Sequence, residues 1–373
     1  MMDVTDRHFR TLARLISRRA VLYTEMVVDK TLIHNPRLRE RSLALPPVPS
    51  LSQHPVVLQL GGSDPEELAA AVALSLPYGY TEINLNCGCP SPTVAGKGAF
   101  GAALMKTPSV VAEATRRMAE AADYSLPITV KCRLGVDTDD SYESLLRFVD
   151  TVSAAGGVRH FSVHARAAIL GGLSPAQNRS IPPLRYGYVY RLAAERPDLV
   201  ISLNGGVKGL AAVSEHLDAG VAGVMVGREV MDRPWHALVG VDARVYGEVG
   251  FPPVSRREVL AAYANYAEAE VAGGAPIRAV VKPLLGLFAG EVNGKRWRRA
   301  FDGGLIRKLG VRDLINTGMA VLSDAVLDRR TSEVPRPEPR PLGLVGLDAP
   351  ATGVEVTPPV GAPMPDAPVA QEV

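Results

Sequence analysis

Short β-branched apolar runs recur along this chain and alternate with amphipathic stretches. The runs predict strands at residues 21–28, 55–60, 82–86, 128–133, 160–164, 200–204 and 223–227. Helical periodicity fills the gaps. One helix is predicted to start at Thr5, with Phe9, Leu12, Leu15 and Ile16 on one face. Another opens at Asp64-Pro65-Glu66-Glu67, where Asp64 caps and Pro65 takes the first helical position. Regular strand–helix alternation predicts a parallel sheet covered by helices.

The strand ends sharpen this. Each run finishes in or near a polar residue or glycine: Glu25, Gln59, Asn86, Lys131 with Arg133, His164 with Arg166, Asn204, and Gly227-Arg228. A (β/α)₈ TIM barrel gathers the C-terminal strand ends on one face, where its chemistry sits. An open doubly wound sheet would carry a Gly-rich fingerprint after its first strand, and none is visible. Seven strands are predicted where such a barrel needs eight, so an additional first strand is expected upstream of Met1. Past residue 240 the alternation stops, and residues 255–330 read as helices. The expected organisation is a barrel over 1–240, a small all-α domain over 241–330 and a disordered tail over 331–373. From Glu333 onward ten prolines and no aromatic residue occur in 41 residues, a composition that does not build a core.

Composition narrows the functional classes. The 373 residues are 47% apolar and 21% charged, ordinary for a soluble protein with a substantial core. The net charge is only +2, so any surface for a polyanion is local. Three cysteines, Cys87, Cys89 and Cys132, make no disulfide framework and no CxxC metal pair, which fits reduced thiols in a cytoplasm. No metal site, signal peptide or membrane helix is expected.

Candidate chemistry clusters at the strand ends. Asn204-Gly205-Gly206-Val207 and Gly227-Arg228-Glu229 follow the last two strands, where barrels bind phosphate on glycine-exposed N–H groups. Lys131 and His164 end neighbouring strands and are expected to point into the barrel mouth, as is Gln59. A lysine closing an apolar run is costly unless an anion or ligand meets it. With Asn204, these groups suit a phosphate-bearing heteroaromatic ring, of which flavin mononucleotide is the best match. Cys89 follows a strand and precedes a glycine-rich loop, AGKGAFGA, expected to act as a lid. A cysteine thiol ordinarily titrates near about 8.5, so a protonated thiol at neutral pH can act as a general acid; an inert loop thiol is the alternative. Cys87 and Cys132 are expected to pack. Between Lys282 and Arg312, eight Lys/Arg stand against Glu291 and Asp302, a patch suited to phosphate contacts. Trp297 within it is expected to anchor packing.

The segments MDVTDRHFR, LYTEM, LQLGG, EINLNCGCPS, VKCRLG, VHAR, NRSIPPLRY, NGGV and VGRE resemble the tRNA-dihydrouridine synthases over residues 1–327. NRSIPPL and KRWRR resemble the A-type subgroup, which acts on uridines 20 and 20a of the D-loop. The resemblance implies a flavoprotein oxidoreductase in which FMN at the barrel mouth is reduced by NADPH. It implies hydride delivery to C6 of a flipped-out uracil and protonation of C5 by Cys89. Implied flavin contacts are Met1, Met2, Gln59, Lys131, His164, Asn204, Gly205, Gly206, Gly227 and Arg228. Asn86 matches the residue that touches the target nucleotide, and Arg179, Arg296 and Arg299 match the tRNA signature of the A-type. Ala176 stands where the family commonly has lysine. A monomer acting on tRNA, away from membranes and without metal, is the expectation. Competing readings are an FMN barrel that reduces a small molecule, a flavin-free barrel using Lys131 as a Schiff-base nucleophile, and a silent tRNA-binding module.

Overall fold

The computed structural model describes residues 1–45, 52–92, 94, 99–248 and 254–330. Seven strands form one sheet in chain order: β1 Leu22–Val28, β2 Val56–Gly61, β3 Glu82–Cys87, β4 Ile128–Arg133, β5 His160–His164, β6 Val200–Asn204 and β7 Gly223–Met225. Every neighbouring pair is parallel. Sequential order with a helical crossover after each strand is the winding of a barrel. The sheet curls on itself. Tyr23 on β1 hydrogen-bonds Ser162 on β5, whereas strands four places apart in a flat sheet would lie about 19 Å from one another.

Each strand carries a period-two pattern that decides its two faces. In β3, Ile83, Leu85 and Cys87 are fully buried, while Glu82, Asn84 and Asn86 share the other face. Cross-strand register places Gln59 beside Asn84 beside Thr129, and Asn86 beside Lys131 beside Ser162. Arg133, His164 and Asn204 follow one another in the next layer. The inner face is therefore polar, unlike the branched apolar filling usual in such barrels. An unpaired buried polar group costs about 1–3 kcal/mol, and most of this interior is paired. The outer face, including Leu58, Val130, Phe161 and Leu203, is covered by helices such as Pro65–Ser75 and Tyr142–Gly156. Cys87 and Cys132 lie there as register partners, fully buried as expected, and burial pushes the Cys132 thiol up to about 12.

Two sequence expectations need correction. The first helix, Arg7–Ile16, is capped by Asp6, whose carboxylate accepts from Phe9 N at 2.8 Å; the Thr5 hydroxyl turns back to Met1 instead. The last strand stops at Met225, because the chain turns at Gly227 to open the helix Arg228–Asp232. The Asp64 cap and Pro65 start are as read, with Asp64 accepting from Glu66 N and Glu67 N.

Beyond the sheet, the helix Arg256–Ala272 opens on a Ser255–Glu258 capping box. It packs on Arg7–Ile16 through the Arg7–Glu270 ion pair at 2.6 Å and His8 Nδ1 to Tyr266 OH at 2.7 Å. Trp297 is fully buried between Phe288 and Phe301, and its Nε1 donates to Leu284 O at 2.9 Å. It is the expected packing anchor. The expected tail, 331–373, lies outside the described residues. Among the described residues no helix is long and apolar enough to cross a membrane.

Candidate active site

The C-terminal ends of β2 to β6 bring Gln59, Asn86, Lys131, Arg133, His164 and Asn204 to one mouth. Cys89 sits just past β3, half-buried. Asn86 fixes it: its Oδ1 accepts from Gly88 N at 3.0 Å and Cys89 N at 2.9 Å, a side-chain-closed turn. Arg133 Nε donates to Gly88 O at 3.1 Å, and Ala102 N donates to Cys89 O at 2.9 Å. Gly101 holds a left-handed φ of +66°, and a Cβ there would lie 2.6 Å from Cys89 O. Only glycine allows that approach. The cysteine is thus anchored on both sides. Half of the expected lid, residues 95–98, lies outside the described residues.

Lys131 and Arg133 both act electrostatically on Cys89. Lys131 is recessed in the mouth and makes no ion pair or hydrogen bond among the described residues; burial and the Arg133 charge lower its pKa to about 8. Arg133 is buried, lowered to about 10 by desolvation, and also donates to Asn178 O at 3.0 Å. His164 is 7% exposed, and its Nδ1 is buried with no hydrogen-bond partner. Burial, then Arg133 and Lys131, press its pKa well below the ordinary imidazole value, so the ring is neutral at pH 7. A neutral ring with an orphaned nitrogen, beside an unpaired ammonium, is a place prepared for a polar ligand.

The phosphate cradle lies next to it. Gly205 and Gly206 hold φ of +115° and +71°, and a Cβ on Gly205 would touch the His164 ring at 3.1 Å. Tyr186 OH donates to Gly205 O at 2.7 Å, fixing that peptide. Asn204 Nδ2 donates to Met225 O at 2.7 Å, tying β6 to β7. Arg228 follows Gly227 and donates to Arg179 O at 3.1 Å. Arg166 and Arg228 both add positive charge around His164. Met1 reaches this rim, where a Cβ on Gly227 would be 3.6 Å from its sulfur; Met2 is exposed.

The remaining predicted residues divide. Arg179 is exposed but close enough to act on buried Arg133. Arg296 and Arg299 are exposed on the helix Gly294–Ile306, one turn apart and without an ion pair among the described residues. Among the described residues no hydrogen bond or ion pair joins them to the mouth. Within the basic segment, Arg312 is neutralised by Glu268 at 2.6 Å and Lys282 donates to Asp3 O at 2.6 Å, so Lys295 to Arg299, with exposed Arg307 and Lys308, carry the available charge. Asn84 and, beyond its place at a strand end, Arg133 were not read as site residues, nor were Tyr186 and, beyond its place just after a strand, Arg166. Strict alternation in EINLNC and ITVKCR is the signal that would have found the first two.

The donor set fits a phosphate-bearing heteroaromatic. It offers a glycine cradle with two arginines for the phosphate, and an orphaned imidazole, an ammonium and two amides for ring heteroatoms. Among the described residues no group of His, Cys, Asp and Glu is placed to hold a metal ion.

The chain is similar to known proteins over most of its length. The family model described as dihydrouridine synthase (Dus) matches residues 1–314. A tRNA-dihydrouridine(20/20a) synthase of Xanthomonas axonopodis pv. citri is 46% identical over 307 residues, covering 82% of this chain and 87% of that protein. Proteins of the same name from Salmonella typhimurium and Vibrio vulnificus are 45% and 43% identical, each covering 80% of this chain and 86% and 88% of theirs. With that mouth and that match across its sheet and helices, this chain belongs to the dihydrouridine synthase family.

Proposed function

We propose that this protein reduces uridine to 5,6-dihydrouridine at positions 20 and 20a of the tRNA D-loop, with FMN as cofactor and NADPH as reductant. The strand ends that gather Gln59, Lys131, His164 and Asn204 at the mouth where the Cys89 loop is anchored by Asn86 and Arg133 carry this reading. Gly205, Gly206, Gly227 and Arg228 would hold the FMN phosphate, and Gln59, Lys131, His164 and Asn204 its ring, with Met1 and Met2 at the rim. Reduced flavin supplies the hydride for C6 when bound. Cys89 then gives its proton to C5 of the uracil. Lys131 and Arg133 lie within electrostatic reach of the sulfur, and Arg133 Nε holds Gly88 O beside it. Asn86 holds the cysteine backbone beside the pyrimidine. Arg179, Arg296 and Arg299 meet RNA phosphates, with residues 241–330 as the tRNA-binding domain and 1–240 as the catalytic one. The enzyme acts as a cytoplasmic monomer.

The test is direct. Purified protein supplied with FMN and NADPH should raise the mass of an unmodified tRNA transcript by two hydrogens at residues 20 and 20a. A transcript with cytidine at both positions should gain nothing. No gain in the first transcript overturns the proposal.

Flavin binding should also respond to pH. Lys131 is lowered to about 8, so its ammonium is lost as pH rises through that value. Affinity for the anionic cofactor is therefore expected to hold from pH 6 to 7 and then to fall, by at most about tenfold per pH unit. Fluorescence titration between pH 6.5 and 9.5 measures this. Lys131→Met should bind more weakly throughout and show no such step; a step retained in the variant assigns the titration elsewhere.

A further inference from the structure

A chain of buried hydrogen bonds runs from the floor of the barrel to the cysteine loop. Thr129 Oγ1 donates to Glu82 Oε1 at 2.6 Å. Asn84 Nδ2 donates to Thr129 Oγ1 at 2.9 Å, and Gln59 Nε2 donates to Asn84 Oδ1 at 2.9 Å. Asn86 Nδ2 donates to Gln59 Oε1 at 2.9 Å, and Asn86 Oδ1 takes the N–H groups of Gly88 and Cys89. Register explains the contacts: Gln59, Asn84 and Thr129 are cross-strand partners in one layer, and Asn86 stands one layer above.

The two ends of this chain are chemically unambiguous. A carboxylate only accepts and a backbone N–H only donates. Every amide between them must then point the way it does. Reversing Asn84 and Gln59 would put acceptor against acceptor at Thr129 and donor against donor at Asn86, at a cost of about 1–3 kcal/mol per unpaired buried group. The floor is held as well. Tyr23 OH also donates to Glu82 at 3.4 Å, and burial keeps that phenol protonated.

We propose that Asn84 is a positioning residue: it transmits the polarity set by Glu82 through Gln59 to Asn86, so that Asn86 presents its oxygen to the Cys89 loop. Asn84 is fully buried and its amide is spent on Thr129 and Gln59, so its effect passes through them. Its consequence for turnover rests on the proposed dihydrouridine chemistry, whereas its hold on the loop does not.

The experiment uses the full chain without flavin or tRNA and follows alkylation of Cys89 by iodoacetamide. Cys87 and Cys132 are fully buried, so Cys89 is the half-exposed thiol, and Cys89→Ala supplies the blank. Asn84→Leu keeps the branched shape and heavy-atom count and removes the acceptor that orients Gln59. It is expected to alkylate about tenfold faster, and to form dihydrouridine about tenfold more slowly at unchanged KM for tRNA, since small misplacements cost up to about a hundredfold. Asn84→Asp is the rescue. Buried beside Glu82, its carboxyl stays protonated, donates to Thr129 and accepts from Gln59, so both rates should stay within about threefold of the parent. Wild-type alkylation in a folded Asn84→Leu, or equal behaviour of Leu and Asp variants, overturns the proposal. If Asn84→Leu does not fold, Thr129→Val is read the same way, with a gain of about threefold expected from breaking the two links its hydroxyl makes and an unchanged rate overturning it. Absence of dihydrouridine formation in the parent would sink the functional reading alone, because the alkylation arm still decides the role of Asn84.

Discussion

Cys89→Ala is expected to lower the rate of dihydrouridine formation by about 10² to 10⁴, the usual contribution of a positioned general acid. The substitution removes the sulfhydryl and little else. The Cβ on which Gly101 packs is retained, and the bonds that hold the loop use backbone groups of Gly88 and Cys89. Flavin binding should be unchanged, because the proposed flavin-holding groups lie on β2, β4, β5 and β6 and at Gly227-Arg228. Single-turnover reduction of tRNA by prereduced enzyme measures the effect. With Lys131 and Arg133 intact, added small acids of suitable pKa should restore part of the rate. A variant at parental speed would mean that another group, or water, protonates C5. It would also leave the cations around position 89 without a catalytic role.

The strand-end reading located the mouth well. Lys131, His164 and Asn204 could be placed because a polar residue closing an apolar run has few places to go in a parallel sheet. Position within the mouth was harder. Asn84 and Thr129 look like ordinary polar interruptions of strands, and their importance comes from register, which joins residues 45 positions apart. Arg133 was visible as a strand end, yet nothing local says that its guanidinium reaches back to Gly88 and across to Asn178. Tyr186 is equally hidden, since it opens a helix and its partner Gly205 lies in the turn after the next strand. Local patterning reports which face a side chain takes; tertiary register decides what it meets there. The first helix begins at Arg7 and not at Thr5 for a local reason: the Asp6 carboxylate caps its N–H groups and sets the first turn there.

Glu291→Leu is expected to destabilise the helical region by about 3–5 kcal/mol, the cost of leaving a buried ion without its partner. Arg256 is fully buried and pairs with Glu291 at 2.6 Å. Its guanidinium lies over the Trp235 ring, 4.6 Å from the centroid, and donates to Leu287 O and Val326 O at 3.3 Å. Those neutral partners orient the cation but do not neutralise it. Burial already lowers Arg256 to about 10, with Glu291 as the principal opposing influence. Arg329 at 3.3 Å leans on the same carboxylate, so its loss also leaves two guanidiniums facing each other, while burial keeps nearby His236 below the ordinary imidazole value and neutral. The pair alone does not argue for net stability, because replacing both members by apolar residues of similar size is often neutral. The double variant Arg256→Met with Glu291→Leu should therefore recover most of what Glu291→Leu loses. Urea unfolding of the parent, both single variants and the double variant measures the coupling. Glu291 lies three residues before the helix carrying Arg296 and Arg299. The single variant should thus weaken tRNA binding more than flavin binding, whose residues sit on the sheet. Additive losses in the double variant would mean that Arg256 is held by its aromatic and carbonyl neighbours, with the carboxylate contributing little.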